Sequence, residues 1–310
     1  MQILDAATTA ARTPFERLVP ALRALFARGA EVPARQVLEL KSPEGGAALT
    51  SLLMPAWLPG EAYGVKVVNV AAGNAGLGLP AVHAVYTLFD ARTGVPRAQV
   101  DGSTLTNRRT AAASALAASF LARDDARRLL LVGAGQIARL LPAAHRAVRP
   151  IERVEVWARR RDRAEVLAEQ LRAEGFDASA VSDLAAAAAR ADLVSCATLA
   201  TEPLVHGAWL APGSHLDLIG SFTPAMREAD DEALRGARVF VDTEEALAKS
   251  GELLAPLASG AIARDSIQGT LAELCRGERP GRRDARERTV FKSVGSALED
   301  LAAAMLATQG

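Results

Sequence analysis

Lysine is scarce in this 310-residue chain. Only Lys41, Lys66, Lys249 and Lys292 occur among 36 basic side chains, and arginine supplies the rest. Cysteine appears twice, and aromatic residues make up 4%. Cys196 and Cys275 lack the paired spacing of a zinc site, and two thiols in so long a chain point to a reducing compartment without disulfides. His83, His145, His206 and His215 are scattered and form no HxxxH-type pair, so no metal site is expected. No Gly-x-Ser-x-Gly elbow is present, which leaves nucleophilic hydrolysis without support. The formal net charge is zero, so there is no electrostatic footprint for nucleic acid or an anionic membrane. No apolar run approaches the roughly 20 residues of a membrane span. The first residues carry no basic leader, and a cytoplasmic protein is expected.

What the chain does contain is an ordinary globular composition, 50% hydrophobic and 23% charged, long enough for two cores. The most informative stretch is 128–138. Three leucines and a valine form a wholly apolar run, as in a buried parallel strand, and Gly133-x-Gly135-x-x-Ala138 follows at once. An apolar-periodic segment through Leu140, Leu141, Ala144 and Val148 comes next. Strand, glycine turn and helix is the context of a dinucleotide site, in which the helix N-terminus offers free N–H groups to a pyrophosphate.

Around that stretch the pattern divides. Thr13, Pro14 and Glu16 predict a helix start with a capping Thr, and Phe15, Leu18, Val19, Leu22, Leu25 and Phe26 recur at helical spacing up to Gly29. From 32 to 100, short β-type runs at 36–40, 49–54, 64–70, 81–89 and 98–101 predict a mostly antiparallel sheet, with a hairpin loop at 90–94. An Ala-rich helix over 104–122 connects to alternating strands and helices: strands at 129–132, 154–158, 193–196, 215–219 and 239–241, helices at 137–148, 163–174, 183–190 and 230–235. The charged segment 276–288 reads as an exposed loop, and 294–306 as a helix returning to the first domain. The expected fold is α/β: a Rossmann doubly wound domain, 121–289, inserted in an α+β domain, 1–120 plus 290–310.

Three groups could carry chemistry. Where NAD-preferring folds place an acid on the ribose 2′-hydroxyl, this chain has Arg159, Arg160 and Arg161 and no acid before Asp162. A 2′-phosphate partner and a solvated basic helix start are both open readings. Lys66 interrupts an apolar strand, as an ammonium facing a pocket or as an edge lysine snorkelling to water. Arg108 and Arg109, placed at the start of the connecting helix, oppose its dipole unless an anion is near; two solvated arginines are the alternative. His145 is expected on the surface, and His83 in the core or a dimer interface, with a cleft-facing position as the alternative.

Five blocks in series resemble the ornithine cyclodeaminase/mu-crystallin family: Gly64-Val-Lys66, Asn74-x-x-x-Gly78-Leu-Pro80, Asp101-Gly-x-x-Leu105-Thr-x-x-Arg109-Thr-Ala-Ala, Val132-Gly-Ala-Gly-Gln136 and Phe291-Lys-Ser-Val-Gly295. The resemblance spans essentially the whole chain. It implies that the outer α+β domain serves substrate binding and dimerisation, with a homodimer, a substrate carboxylate held by Arg35, Lys66 and Arg109, and Lys66 and Arg109 as the active-site pair. It also implies a dinucleotide contacted by Thr110, Gly133, Ala134, Gly135, Gln136, Ile137, Arg159, Arg160, Thr198, Ser293 and Gly295. Cyclodeaminating members resemble Gly-x-Asp-x-Pro after the strand that His215 begins; here Phe222 stands at the Asp position, and a phenyl ring cannot shuttle a proton. The form Gly220-x-Phe222-x-Pro224 is similar to members that reduce cyclic imino acids. The resemblance therefore implies NADPH-dependent reduction, with NADH possible, of Δ1-pyrroline-2-carboxylate or Δ1-piperideine-2-carboxylate to L-proline or L-pipecolate. Ornithine cyclodeaminase, an alanine or opine-like dehydrogenase, and a mu-crystallin-like binding protein are the alternatives.

Overall fold

The computed structural model describes residues 1–41 and 49–309, and the chain forms two compact units, residues 1–109 with 296–310 and residues 110–295. The first opens with β1 (Gln2–Leu4), α1 (Ala6–Arg12) and α2 (Phe15–Arg28), followed by β2 (Gln36–Leu40), β3 (Leu49–Leu58), β4 (Ala62–Ala71), β5 (Val82–Asp90) and β6 (Pro96–Asp101). Helix α3 (Gly102–Leu121) begins in this unit and ends in the next. The second unit continues through β7 (Arg128–Val132), α4 (Gln136–Arg146), β8 (Arg153–Trp157), α5 (Arg161–Ala173), β9 (Asp177–Ala180), α6 (Leu184–Arg190), β10 (Leu193–Cys196) and β11 (His215–Leu218). It is completed by α7 (Asp231–Leu234), β12 (Arg238–Val241), α8 (Ala246–Lys249), α9 (Gly251–Ser259), β13 (Ile267–Thr270), α10 (Leu271–Arg276) and β14 (Thr289–Lys292). The last helix, α11 (Ala297–Ala307), belongs to the first unit.

The first sheet runs β1-β6-β5-β4-β3-β2, antiparallel except for the parallel β1–β6 pair. Cross-strand register sets Met54, Lys66, Tyr86 and Val100 in one row, all buried. Residues directly opposite in an antiparallel ladder share a face, and α11 packs against β3, β4, β5 and α2. The buried stripe of α2 is the predicted one, Phe15 to Phe26, and Gly29 ends the helix at φ 84°. Its start differs. Thr13 does not cap α2; it closes α1, and its hydroxyl donates to the Thr9 carbonyl at 2.7 Å, leaving Pro14 at the cap position. The short β1 and α1 lie outside the sequence expectation because three and seven residues carry too little periodicity to read.

The second sheet is entirely parallel, in the order β13-β12-β14-β11-β10-β7-β8-β9. From β9 to β10 this is the 3-2-1-4 winding of a dinucleotide-binding sheet, and the direction of winding reverses between β7 and β10. Three strands were not anticipated. The edge strands β9 (Asp-Ala-Ser-Ala) and β13 (Ile-Gln-Gly-Thr) lack an apolar run, whereas β14 is fully buried but follows the charged segment. That segment has no helix or strand over 277–288, yet Arg282 turns inward and donates to the carbonyls of Leu121 and Ser214. His145 is a correction of a different kind: its face of α4 lies in the core, fully buried, and burial lowers its pKa to about 3. His83 is exposed on β5 rather than packed inside. Among the described residues no helix is long and apolar enough to cross a membrane.

Candidate active site

In the first unit the chemistry gathers on the row that contains Lys66. The residue is buried to 1% exposure, with Nζ 2.7 Å from Asp300 Oδ2 and 3.2 Å from Thr106 Oγ1. It therefore does not snorkel to water. Arg109 lies seven residues after Gly102, two turns into α3, so the conflict with the helix dipole expected from sequence does not arise. Asp101 occupies the real start, its Oδ1 accepting the Thr104 N–H at 2.7 Å. The Arg109 guanidinium is buried and donates from Nη1 to Glu299 Oε2 at 2.6 Å and from Nε to Asp300 Oδ1 at 3.0 Å. Burial lowers the Lys66 pKa to about 8, with Asp300 opposing that shift and Arg109 reinforcing it. For Arg109, burial also works against the charge, but the two carboxylates outweigh it and the pKa is raised.

The result is a buried cluster of two cations and two carboxylates. Glu299 and Asp300 were missed by sequence reasoning; the signal was two adjacent acids inside an otherwise apolar terminal helix. Arg108 is neither solvated nor part of the cluster. Its guanidinium donates to the Thr13 carbonyl and stacks 4.4 Å from the Phe15 ring centroid. Arg35 is half-buried and immediately precedes Gln36, which pairs with Leu53 on β3.

In the second unit the predicted cofactor residues fall at the C-terminal ends of parallel strands. Gly133 follows β7 with φ 119°, and a β-carbon on it would stand 2.6 Å from the Ala197 carbonyl oxygen. Gly135 caps α4 without a side-chain bond, and a β-carbon there would meet nothing within 4 Å. Open space before an uncapped helix start, with the free N–H groups of Gln136 and Ile137, fits a dinucleotide pyrophosphate. Ala134 lies half-buried in the same turn, and Thr110 is buried on α3. Thr198 follows β10 and is held by Glu228, whose Oε1 accepts its N–H at 2.7 Å and its hydroxyl at 2.8 Å. Ser293 and Gly295 follow β14; the N–H groups of Val294 and Gly295 donate to Asp242 Oδ2 at 2.8 and 2.6 Å. Asp242 and Glu228 are buried anchors, and Asp242 had no sequence signal beyond its charge. Arg159 and Arg160 follow β8 and are exposed. Arg160 is engaged twice by Asp162, at 2.6 and 3.2 Å, while Arg159 carries no ion pair among the described residues.

The model of the ornithine cyclodeaminase/mu-crystallin family matches residues 3–309. The chain belongs to this family. Among curated relatives, the Delta(1)-pyrroline-2-carboxylate reductase of Paracoccus denitrificans is 44% identical, over 97% of this chain and 94% of its own. The solved Delta(1)-pyrroline-2-carboxylate reductase of Thermococcus litoralis, in complex with NADH and L-proline, superposes with a TM-score of 0.91 at 33% identity, covering 100% of this chain and 97% of that one. An archaeal alanine dehydrogenase dimer with bound NAD gives a TM-score of 0.89 at 29% identity, covering 100% and 95%. The mixed α/β architecture, with one all-parallel Rossmann sheet, is thus the family's. Within it, Phe222 of this chain lies in the loop after β11, 48% exposed.

Proposed function

We propose that this family member reduces the cyclic ketimines Δ1-pyrroline-2-carboxylate and Δ1-piperideine-2-carboxylate to L-proline and L-pipecolate, with NADPH as hydride donor. The observation that carries the reading is the buried pair Lys66 and Arg109, each tied to one oxygen of Asp300. Two fixed cations with donors to spare suit a carboxylate, and Arg35 is the third residue of this reading. Orienting the ring through its carboxylate is the protein's contribution, and the bound dinucleotide supplies the hydride that C2 receives. Because the imine reacts in its protonated form, the C=N π pair that moves onto nitrogen as C2 takes the hydride leaves the ring nitrogen an uncharged amine. Phe222 favours this chemistry over cyclodeamination, since it offers no group to take a proton from an amine.

In this reading the dinucleotide is held by Thr110, Gly133, Ala134, Gly135, Gln136, Ile137, Thr198, Ser293 and Gly295. Arg159 meets the 2′-phosphate and Arg160 joins it when released from Asp162. A second copy of the chain is the proposed partner. Strand β2 is an open sheet edge with Val37, Leu38 and Leu40 all exposed, and an apolar edge of that kind suits pairing. A cytoplasmic setting suits Cys196 and Cys275, neither of which is in a disulfide.

Loss of NADPH absorbance on adding either imine tests the reaction. Turnover with at least one is expected. A folded, NADPH-binding sample inert toward both overturns it, and ammonia release from ornithine or turnover of pyruvate with ammonia would assign the alternatives.

A further inference from the structure

We propose that Asp300 is the positioning residue of the carboxylate site, a bridge that sets the separation of Lys66 and Arg109 and keeps Lys66 an ammonium. This inference rests on the carboxylate-binding reading of those two cations. Asp300 is fully buried on α11 and spends one oxygen on each partner: Oδ2 is 2.7 Å from Lys66 Nζ, and Oδ1 accepts from Arg109 Nε at 3.0 Å.

Donor counting shows what the bridge leaves free. An ammonium has three N–H bonds. Lys66 directs one at Thr106 Oγ1, whose own proton is committed to the Gly102 carbonyl at 2.7 Å, and stands in an ion pair with Asp300 Oδ2 at 2.7 Å. Even with one N–H given to that ion pair, a third is left for a ligand. A guanidinium has five N–H bonds. Arg109 commits Nε to Asp300 and one Nη1 proton to Glu299 Oε2, leaving Nη2 for a ligand. The two cations are thus fixed by the carboxylates on one side and retain donors for an incoming carboxylate. The cluster is also charge-balanced, so a ligand that is itself neutral overall, a carboxylate with a protonated ring nitrogen, enters without upsetting it.

The groups facing Lys66 are Asp300 and Glu299 from α11, Arg109 and Thr106 from α3, and Tyr86 opposite it on β5. Burial and Arg109 favour the neutral amine, and Asp300 is the foremost group that opposes them. Asp300→Asn removes that opposition and presents an amide N–H to a cation. The Lys66 pKa, about 8 in the wild type, falls.

The experiment uses the full chain labelled with carbon-13 at lysine Cε. Four lysines give four signals, and Lys→Arg substitutions at positions 41 and 249 aid assignment. In Asp300→Asn the Lys66 midpoint is expected to move to lower pH, and KM for the imine to rise about 100-fold with a smaller change in kcat, as a misplaced binding group does. In Asp300→Glu, which keeps the charge but not the reach, the midpoint is expected to stay near the wild type while KM still rises. An unmoved midpoint with unchanged KM in Asp300→Asn overturns the proposal. Should that variant not fold, an unchanged KM in Asp300→Glu overturns it. A wild-type protein that reduces neither imine overturns the proposed function instead, and the titration still reports whether Asp300 holds the Lys66 proton.

Discussion

The Tyr86 hydroxyl occupies the space that a side chain on Gly64 would need: a β-carbon built there falls 1.9 Å from the hydroxyl oxygen and 2.5 Å from Cζ. The two residues are diagonal neighbours on β4 and β5, Gly64 opposite Leu88 and Tyr86 opposite Lys66. Glycine two residues before Lys66 is therefore a packing requirement of the tyrosine behind it.

Gly64→Ala is expected to destabilise the chain by about 1–3 kcal/mol, because Tyr86 is fully buried and cannot swing aside. Tyr86→Phe alone is expected to be neutral or stabilising, since the hydroxyl has no partner among the described residues. It does not rescue Gly64→Ala, because the ring carbons clash as well. Urea unfolding of the two single variants and the double variant measures this; full rescue would contradict it.

Glu228 ties two loops of the second unit together. Its Oε1 accepts from Thr198 twice, and its Oε2 accepts the N–H groups of Gly220 and Ser221 at 2.8 and 3.3 Å. Glu252 in turn accepts the N–H groups of Glu228 and Ala229. Glu228→Gln replaces an acceptor with a donor facing donors, at a cost of about 1–3 kcal/mol. The Thr198 loop loosens, and NADPH affinity measured by calorimetry is expected to fall along with stability. Unchanged affinity would show that the loop does not serve the cofactor.

How far the sequence carried depended on whether a feature is local. Strand β7 was legible because Leu129–Leu131 leave no solvent face, and the glycine turn because Gly133 needs its positive φ and Gly135 its open approach. Lys66 and Arg109 stood out as charges in places where charge is costly. Their partners did not, because Asp300 is 234 positions from Lys66 in the chain and only the return of α11 brings it near. His145 went wrong for the same reason: helical spacing gives a face, and only tertiary packing says which face is covered.

Among the described residues Arg160 is occupied and Arg159 is not, which divides the expected effects on cofactor choice. Asp162→Ala frees Arg160 and is expected to raise the ratio of kcat/KM for NADPH over NADH. Arg159→Ala is expected to lower that ratio about 10- to 100-fold, the worth of a charge-assisted hydrogen bond to phosphate. A ratio unmoved by both substitutions would place 2′-phosphate recognition elsewhere.

The core of the second unit holds a carboxyl that titrates near neutrality. Asp217 on β11 is fully buried; burial raises its pKa to about 7 although the hydroxyls of Ser195 and Ser114 donate to it. His145 Nε2 lies 3.9 Å away but is held neutral by its own burial, so it offers no compensating charge. Between the ordinary aspartate pKa of 3.8 and about 7, the folded chain keeps a proton that the unfolded chain has released. Stability from this group therefore falls as pH rises through that window and is flat above it, by a few kcal/mol in all. Asp217→Asn keeps a neutral acceptor for one serine and removes the titration. The melting temperature of the variant minus that of the wild type is expected to climb from pH 4 to pH 7 and then level off. The difference cancels the opposite trend from the buried histidines, and a flat difference would show Asp217 to be ionised in the folded core throughout.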